Sequence, residues 1–189
     1  ILALIFTGGA ASAYLRSQWS PNTGGGLAWN IVDRTPAAYF QNNRLVYRLI
    51  TSGAFAIPSD DFRWTAVNAF QTWEDSPDAV IAFARGADIA GAPFDADFSV
   101  GWTDGAENAQ WGGNLGGAAG LTRTAFSRGF LLDADIALNA TLAWSVDGST
   151  IGDAEGTTVH EVGHAIGFNH TPHCQSPMGY VGGWDGLSD

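Results

Sequence analysis

The chain has 189 residues, of which 46% are hydrophobic, so it can bury one sizeable core, and we expect a single folded domain. Nineteen acidic residues stand against eight arginines and no lysine, which gives a formal charge of −11 at pH 7. This balance argues against nucleic acid or an anionic membrane surface as a partner, and its ordinary explanation is a solvated acidic surface.

The start of the chain is typical of an export signal. An apolar run, Ile1 to Phe6, precedes a segment that ends in Ala11-Ser12-Ala13, a small-residue pattern found at signal cleavage sites. The run is too short to span a bilayer. We expect residues 1–13 to be the remnant of a secretory signal peptide and the mature protein to be extracellular, without a membrane span. The alternative is a core strand or helix.

Residues 14–27 are predicted to be a linker, because they include a stretch rich in proline, asparagine and glycine. A strand is predicted at residues 45–50. Pro58-Ser59-Asp60-Asp61 predicts a helix start, with Ser59 as the cap and two aspartates at the positive end of the helix dipole. Apolar residues at helical spacing predict one core-facing side of this helix: Phe62, Ala66, Ala69, Phe70 and Trp73.

Further elements are shorter. Strands are predicted at residues 80–84 and 98–102. A loop is predicted at residues 105–120, which are rich in glycine. Residues 135–140 alternate in polarity and predict a half-buried strand, with Ile136, Leu138 and Ala140 on one side. This order of strand, helix, strands and helix fits an α+β domain with a mixed sheet.

A second helix is predicted to begin near Asp153 and to carry a short cluster of histidines. Its core face comprises Val159, Val162, Gly163 and Ile166. His160 and His164 stand one turn apart on the cleft side, so both can reach one metal ion at about 2.0–2.1 Å. Gly167 is the expected helix terminator, after which His170 can turn back as a third ligand.

Three imidazoles leave zinc with an open coordination position, as in catalytic rather than structural sites. Glu161 lies off the metal axis, where its carboxylate is expected to take a proton from a zinc-bound water. His-Glu-x-x-His alone can arise by chance in an ordinary helix. Three of the four histidines in the chain fall inside this motif, however, and we predict zinc bound by His160, His164 and His170.

The pattern His-Glu-x-x-His-x-x-Gly-x-x-His followed by a methionine turn resembles the metzincin zinc metalloproteases. The spacing from His170 to Met178 is similar to that of the matrixin branch, of the peptidase M10 type. The resemblance implies a metzincin catalytic domain over residues 28–189, a twisted mixed sheet with helices packed on it and a zinc-binding active-site helix. It also implies that Met178 forms an apolar floor beneath the zinc, which is compatible with an ordinary core-filling role.

The resemblance implies an edge strand above the cleft that binds substrate by backbone pairing, and its position suggests residues 118–123. Two departures from the family pattern stand out. No histidine precedes His160, so the second, structural zinc of vertebrate matrixins is not expected. The family domain continues into a further helix after the methionine turn, and we expect the chain to be truncated before it.

Several residues near the motif have open roles. Tyr180 resembles the tyrosine of the astacin and serralysin turn, a possible transition-state group or fifth ligand, or else it is an ordinary buried tyrosine. His173 is expected to be a rim residue rather than a fourth ligand. Cys174 is the only cysteine, so it is either a buried small hydrophobe or a reactive thiol. Structural calcium is a further possibility, with Asp133 and Asp135 as candidates.

The leading hypothesis is a secreted, monomeric zinc endopeptidase that hydrolyses protein or peptide substrates through a zinc-activated water, with Glu161 as general base. The alternative is a non-catalytic, zinc-stabilised binding or adhesion module on the same scaffold. Glu161 speaks against the alternative, because a site kept only for structure needs no base.

Overall fold

The computed structural model describes residues 15–16, 27–52, 55–76, 79–90, 97–104, 115, 117–147, 152–171 and 176–179. In chain order the described elements are β1 (Leu15–Arg16), β2 (Ala28–Trp29), β3 (Phe40–Gln41), β4 (Arg44–Leu49), α1 (Ser59–Glu74), β5 (Phe83–Arg85), β6 (Ser99–Thr103), β7 (Gly120–Ser127), β8 (Phe130–Asn139), β9 (Trp144–Ser145), β10 (Gly152–Asp153), α2 (Ala154–Ala165) and β11 (Phe168–Asn169). A 3-10 turn, Ala37–Tyr39, precedes β3.

A seven-stranded sheet organises the domain. Its strand order is β2-β8-β6-β4-β3, with β5 paired to β4 and β7 paired to β8. The pairs β4–β6 and β6–β8 are parallel, whereas β7–β8 is antiparallel. Arg128 and Gly129, both with positive φ, form the two-residue turn of the β7–β8 hairpin, as the twist of paired strands favours. The predicted α+β class with a mixed sheet is confirmed.

Both helices pack against one face of this sheet, and the main core lies between them. The predicted apolar side of α1 is confirmed, because all five of its residues are buried. They meet β-strand side chains such as Leu49, Val100 and Leu138, which are fully buried. The described helices include none that is long and apolar enough to cross a membrane.

Three local predictions need correction. Pro58, not Ser59, holds the N-cap position of α1; Ser59 is the first helical residue, and no side chain caps this helix end. The strand predicted at residues 80–84 begins only at Phe83, and Val80 is 58% exposed. The strand predicted at residues 98–102 lies one residue later, in β6.

The strand predicted at residues 135–140 is longer and more buried than expected. It is the end of β8, which starts at Phe130, and Ala140 lies in the turn that follows. The expectation of a half-buried strand was wrong because both faces are covered. Ile136 faces the main core, whereas Ala137 packs with Ile50 and Leu115 in a second, smaller core.

Most of the predictions for the two ends of the chain concern residues that the structure does not describe. Residues 1–14, 17–26 and 180–189 lie outside the described residues, as do 105–114 and 116 of the predicted loop. Two residues of the predicted linker form β1, which pairs antiparallel with β11. The described residues 115 and 117–119 are in no strand, as predicted, and Gly120 begins β7. The boundaries at 1–13, 14–27 and 28–189 stay predictions.

Candidate metal centre

Helix α2 begins and ends where the sequence predicted. The Asp153 carboxylate accepts hydrogen bonds from the backbone N–H groups of Glu155 and Gly156, at 3.3 and 3.0 Å, and so caps the first turn. At the other end Gly167 has φ +99°, and an added Cβ there would lie 2.2 Å from the carbonyl oxygen of Leu27. Only glycine fits both the conformation and the space, so the chain turns at this residue.

The helix is fastened to the core along its buried side. The indole N–H of Trp73 donates to the carbonyl oxygen of Val159 at 2.8 Å, and that of Trp29 donates to Ala165 at 3.0 Å. At Gly163 the helix approaches its neighbours so closely that an added Cβ would lie 2.2 Å from the Met178 sulfur. The predicted core face is confirmed, since Val159, Val162, Gly163 and Ile166 are all buried.

The three predicted ligand side chains converge. The Nε2 atoms of His160 and His164 are 3.2 Å apart, and each is 3.1 Å from Nε2 of His170. In a tetrahedral zinc site with bonds of about 2.0–2.1 Å, neighbouring ligand nitrogens stand about 3.3–3.4 Å apart. The triangle of ring nitrogens therefore fits a single zinc ion.

The other ring nitrogens support the same arrangement. Nδ1 of His160 lies 2.5 Å from the carbonyl oxygen of Pro177, and Nδ1 of His164 lies 2.9 Å from that of Phe168. Donation of Nδ1–H to these carbonyls leaves the Nε2 lone pairs for a metal. Burial lowers the pKa of His160 and lowers that of His164 to about 4, so both rings favour the neutral form that binds metal.

The Glu161 side chain lies against β7, in the wall of the same cleft as the three histidines. It is buried, with 5% of the residue exposed, and Oε2 accepts a hydrogen bond of 2.6 Å from the Thr122 hydroxyl. Burial raises the pKa of Glu161 to about 7, against the opposing effect of that hydrogen bond. A carboxyl group with such a pKa can exchange protons near neutral pH.

A cleft of about 660 Å³ runs between α2 and β7. Its walls include Glu161 and all three converging histidines, together with Gly117, Ala118, Ala119, Gly120, Leu121, Thr122, Thr124, Thr157 and Gly179. Within the described strands, β7 pairs only with β8, so it is the edge strand of the sheet on this side. The edge strand predicted at residues 118–123 is thus present, beginning two residues later than expected.

Met178 lies fully buried under the helix, against Gly163. Its carbonyl oxygen accepts a hydrogen bond from the backbone N–H of Thr171 at 2.8 Å, which ties the turn to the segment after His170. This place suits the predicted floor beneath the metal, a role that stays a prediction. Tyr180, His173 and Cys174 lie outside the described residues, and their assignments also stay predictions.

The calcium candidates have protein hydrogen-bond partners. Asp133 and Asp135 are buried within β8, where Tyr39 donates a hydrogen bond to Asp133 and Ser99 donates one to Asp135. In the part of the chain that the structure describes, the three histidines are the only group of three or more His, Cys, Asp or Glu side chains close enough to hold one metal ion. The structure therefore does not support calcium at these aspartates.

Sequence reasoning did not find Thr122. The residue lies 39 positions before Glu161, and its contact depends on the register with which β7 crosses α2. No local pattern around Thr122 carries that information.

Comparison with known proteins adds one finding. A family model described as matrixin, of the peptidase M10 type, matches residues 38–181, which is more than half of the chain. The match includes all of the converging histidines, Glu161 and Met178. Comparison with curated proteins found no match.

Proposed function

Because the chain belongs to the matrixin family of zinc metalloproteases, we propose that it is a secreted endopeptidase in which His160, His164 and His170 hold the zinc and Glu161 is the general base. The observation that carries this proposal is the triangle of Nε2 atoms, 3.1–3.2 Å on each side, in the wall of the cleft. When bound there, zinc would lower the pKa of a water toward about 7 and polarise the scissile carbonyl.

The positions of the protein groups support the roles that we propose for them. Glu161 sits one residue from the first ligand, within the same cleft, and its carboxylate would accept the proton of the attacking water and return it to the departing amine. The backbone of β7 would pair with an extended protein or peptide substrate, because it is the sheet edge beside these groups. Tyr180 stays a proposed transition-state group or fifth ligand.

Secretion and the monomeric state are further parts of the proposal. Secretion rests on the apolar segment and the small-residue pattern of residues 1–13. A reporter fused after residue 27 should reach the culture medium of a secreting host, and retention of the reporter inside the cell would contradict export by this segment.

Peptide hydrolysis is tested by incubating the full-length protein with casein, with and without a chelator, beside Glu161→Gln. We expect chelator-sensitive cleavage by the natural protein. The variant should bind one zinc ion per chain and show no measurable cleavage, since glutamine cannot take up the proton. Cleavage that the chelator leaves unchanged, or turnover retained by the variant, would contradict the proposal. Zinc binding without any cleavage by the natural protein would favour a non-catalytic binding module.

A further inference from the structure

We infer that Thr122 is a positioning residue, which holds the carboxylate of Glu161 in the orientation needed for proton transfer. The inference rests on the proposed function of Glu161 as general base. Thr122 lies in β7, the edge strand of the cleft, and its hydroxyl is the hydrogen-bond partner that the structure gives to the Glu161 carboxylate.

The two contact distances of the Thr122 hydroxyl indicate which acceptor takes its hydrogen bond. Oγ1 of Thr122 lies 2.6 Å from Oε2 of Glu161 and 3.0 Å from the backbone carbonyl oxygen of the same residue. A hydroxyl group has a single proton to donate, and the shorter contact leads to the charged acceptor. The proton therefore points to Oε2, and the carbonyl contact is secondary.

A second residue of β7 confines the same carboxylate. An added Cβ at Gly120 would lie 2.7 Å from Cγ of Glu161 and 2.8 Å from its Oε1. Residues two apart in a strand lie on the same face, so Gly120 and Thr122 both meet the glutamate from β7. Gly120 provides room for the carboxylate, and Thr122 anchors one of its oxygens.

This arrangement leaves the two carboxylate oxygens with different roles. Oε2 is occupied by the Thr122 hydroxyl, whereas Oε1 accepts no hydrogen bond from the residues that the structure describes. Oε1 is therefore the oxygen that would take the proton of the attacking water. A general base must lie within hydrogen-bond reach of the proton that it removes, and a glutamate without this anchor can adopt other rotamers.

The test compares four forms of the full-length protein: the natural chain, Thr122→Val, Thr122→Ala and Thr122→Ser. Valine keeps the shape of threonine and lacks the donor, whereas alanine and serine differ from each other only by the hydroxyl. We expect valine and alanine each to lower kcat on a casein-derived peptide by about 10- to 100-fold, as is typical for loss of a supporting hydrogen bond around a metal site. KM should change less than about threefold, and serine should recover most of the natural kcat.

Two further measurements separate positioning from folding. Zinc content should stay at one ion per chain in all four forms. Crystal structures should show the Glu161 carboxylate displaced from β7 in the valine and alanine variants and unmoved in the serine variant. The alanine variant carries the same test if valine prevents folding.

The outcomes distinguish this inference from the proposed function. If the natural chain cleaves peptide and the valine and alanine variants match its kcat, Thr122 does not position the base, and the proposed function stands. Loss of zinc in these variants, or a serine variant as impaired as valine, would also overturn the inference. If the natural chain itself cleaves no peptide, both the inference and the proposed function fail.

Discussion

At the residue scale, the Nδ1 contact of each helical histidine turns its Nε2 atom toward the other two imidazoles. His160 and His164 are held through Nδ1 by the carbonyl oxygens of Pro177 and Phe168, so their rings are oriented without a metal ion. The sequence spacing could predict which imidazoles converge, because that follows from helix geometry and one glycine turn. It could not predict the Pro177 contact, which depends on how the later turn packs beneath the helix.

Removal of His170, the predicted third ligand, should abolish tight zinc binding. We expect His170→Ala to weaken zinc binding by more than about a hundredfold, because even the outer partners of metal ligands contribute about 10- to 100-fold to affinity. The measurement is a competition titration against a zinc chelator of known affinity. His173→Ala is the matched control, which should bind zinc like the natural chain. An equal loss in the two variants would contradict the assignment of His170 over His173.

At the element scale, the two helices were predictable and the sheet was predictable only in part. Helix α1 and helix α2 each have a clear start and a buried side at helical spacing, and both signals are local. The first five residues of β8 were missed, and its second buried face was unexpected. That face is covered by Ile50 and Leu115, which are distant in sequence, so no alternating pattern could reveal it.

The close contact of α2 with the methionine turn leaves little room for a side chain at Gly163. At an open helix position, a change from glycine to alanine stabilises by about 1 kcal/mol. At Gly163 the added Cβ would lie 2.2 Å from the Met178 sulfur and 2.7 Å from the Trp73 ring, so overpacking should dominate. We expect Gly163→Ala to lower the free energy of unfolding by about 1–3 kcal/mol in urea titrations.

Gly117 offers the control for this change. A Cβ added there meets no atom within 4 Å, and we expect Gly117→Ala to alter the free energy of unfolding by less than about 0.5 kcal/mol. A Gly163→Ala protein as stable as the natural chain would show that the helix and the turn are less tightly packed than the structure indicates.

At the scale of the whole molecule, one sheet face and two helices build the main core, and the cleft lies where α2 meets β7, the edge strand among the described strands. The family resemblance predicted this layout, whereas composition predicted only a domain of this size. The contact between β7 and Glu161 is a property of the assembled fold. It brings the expected substrate-binding strand and the expected base into one hydrogen-bonded unit.

Two buried tyrosines should make the fold sensitive to alkali. Tyr39 and Tyr47 are 5% and 3% exposed. Burial raises the pKa of Tyr47 to about 12. It raises the pKa of Tyr39 further, and the hydrogen bond to Asp133 and the negative charge of that residue act in the same direction. The pKa of an unfolded tyrosine is near 10.0, so below pH 10 these two hydroxyls do not lower the free energy of unfolding. This free energy should fall as the pH rises toward about 12, by roughly 1.4 kcal/mol per pH unit for each tyrosine.

Urea unfolding at pH 9, 10 and 11 measures this dependence. Tyr47→Phe is the control, because it should reduce the loss between pH 10 and 11 by the share of one tyrosine. A free energy of unfolding that stays constant from pH 9 to 11 would contradict the burial of the two hydroxyls.

The most direct test of the zinc site is a crystal structure of the zinc-loaded protein with anomalous data collected at the zinc absorption edge. We predict a single strong peak at about 2.0–2.1 Å from Nε2 of His160, His164 and His170, with a coordination position open to the cleft beside Glu161. A zinc ion bound elsewhere, or three ring nitrogens that share no metal, would contradict the account.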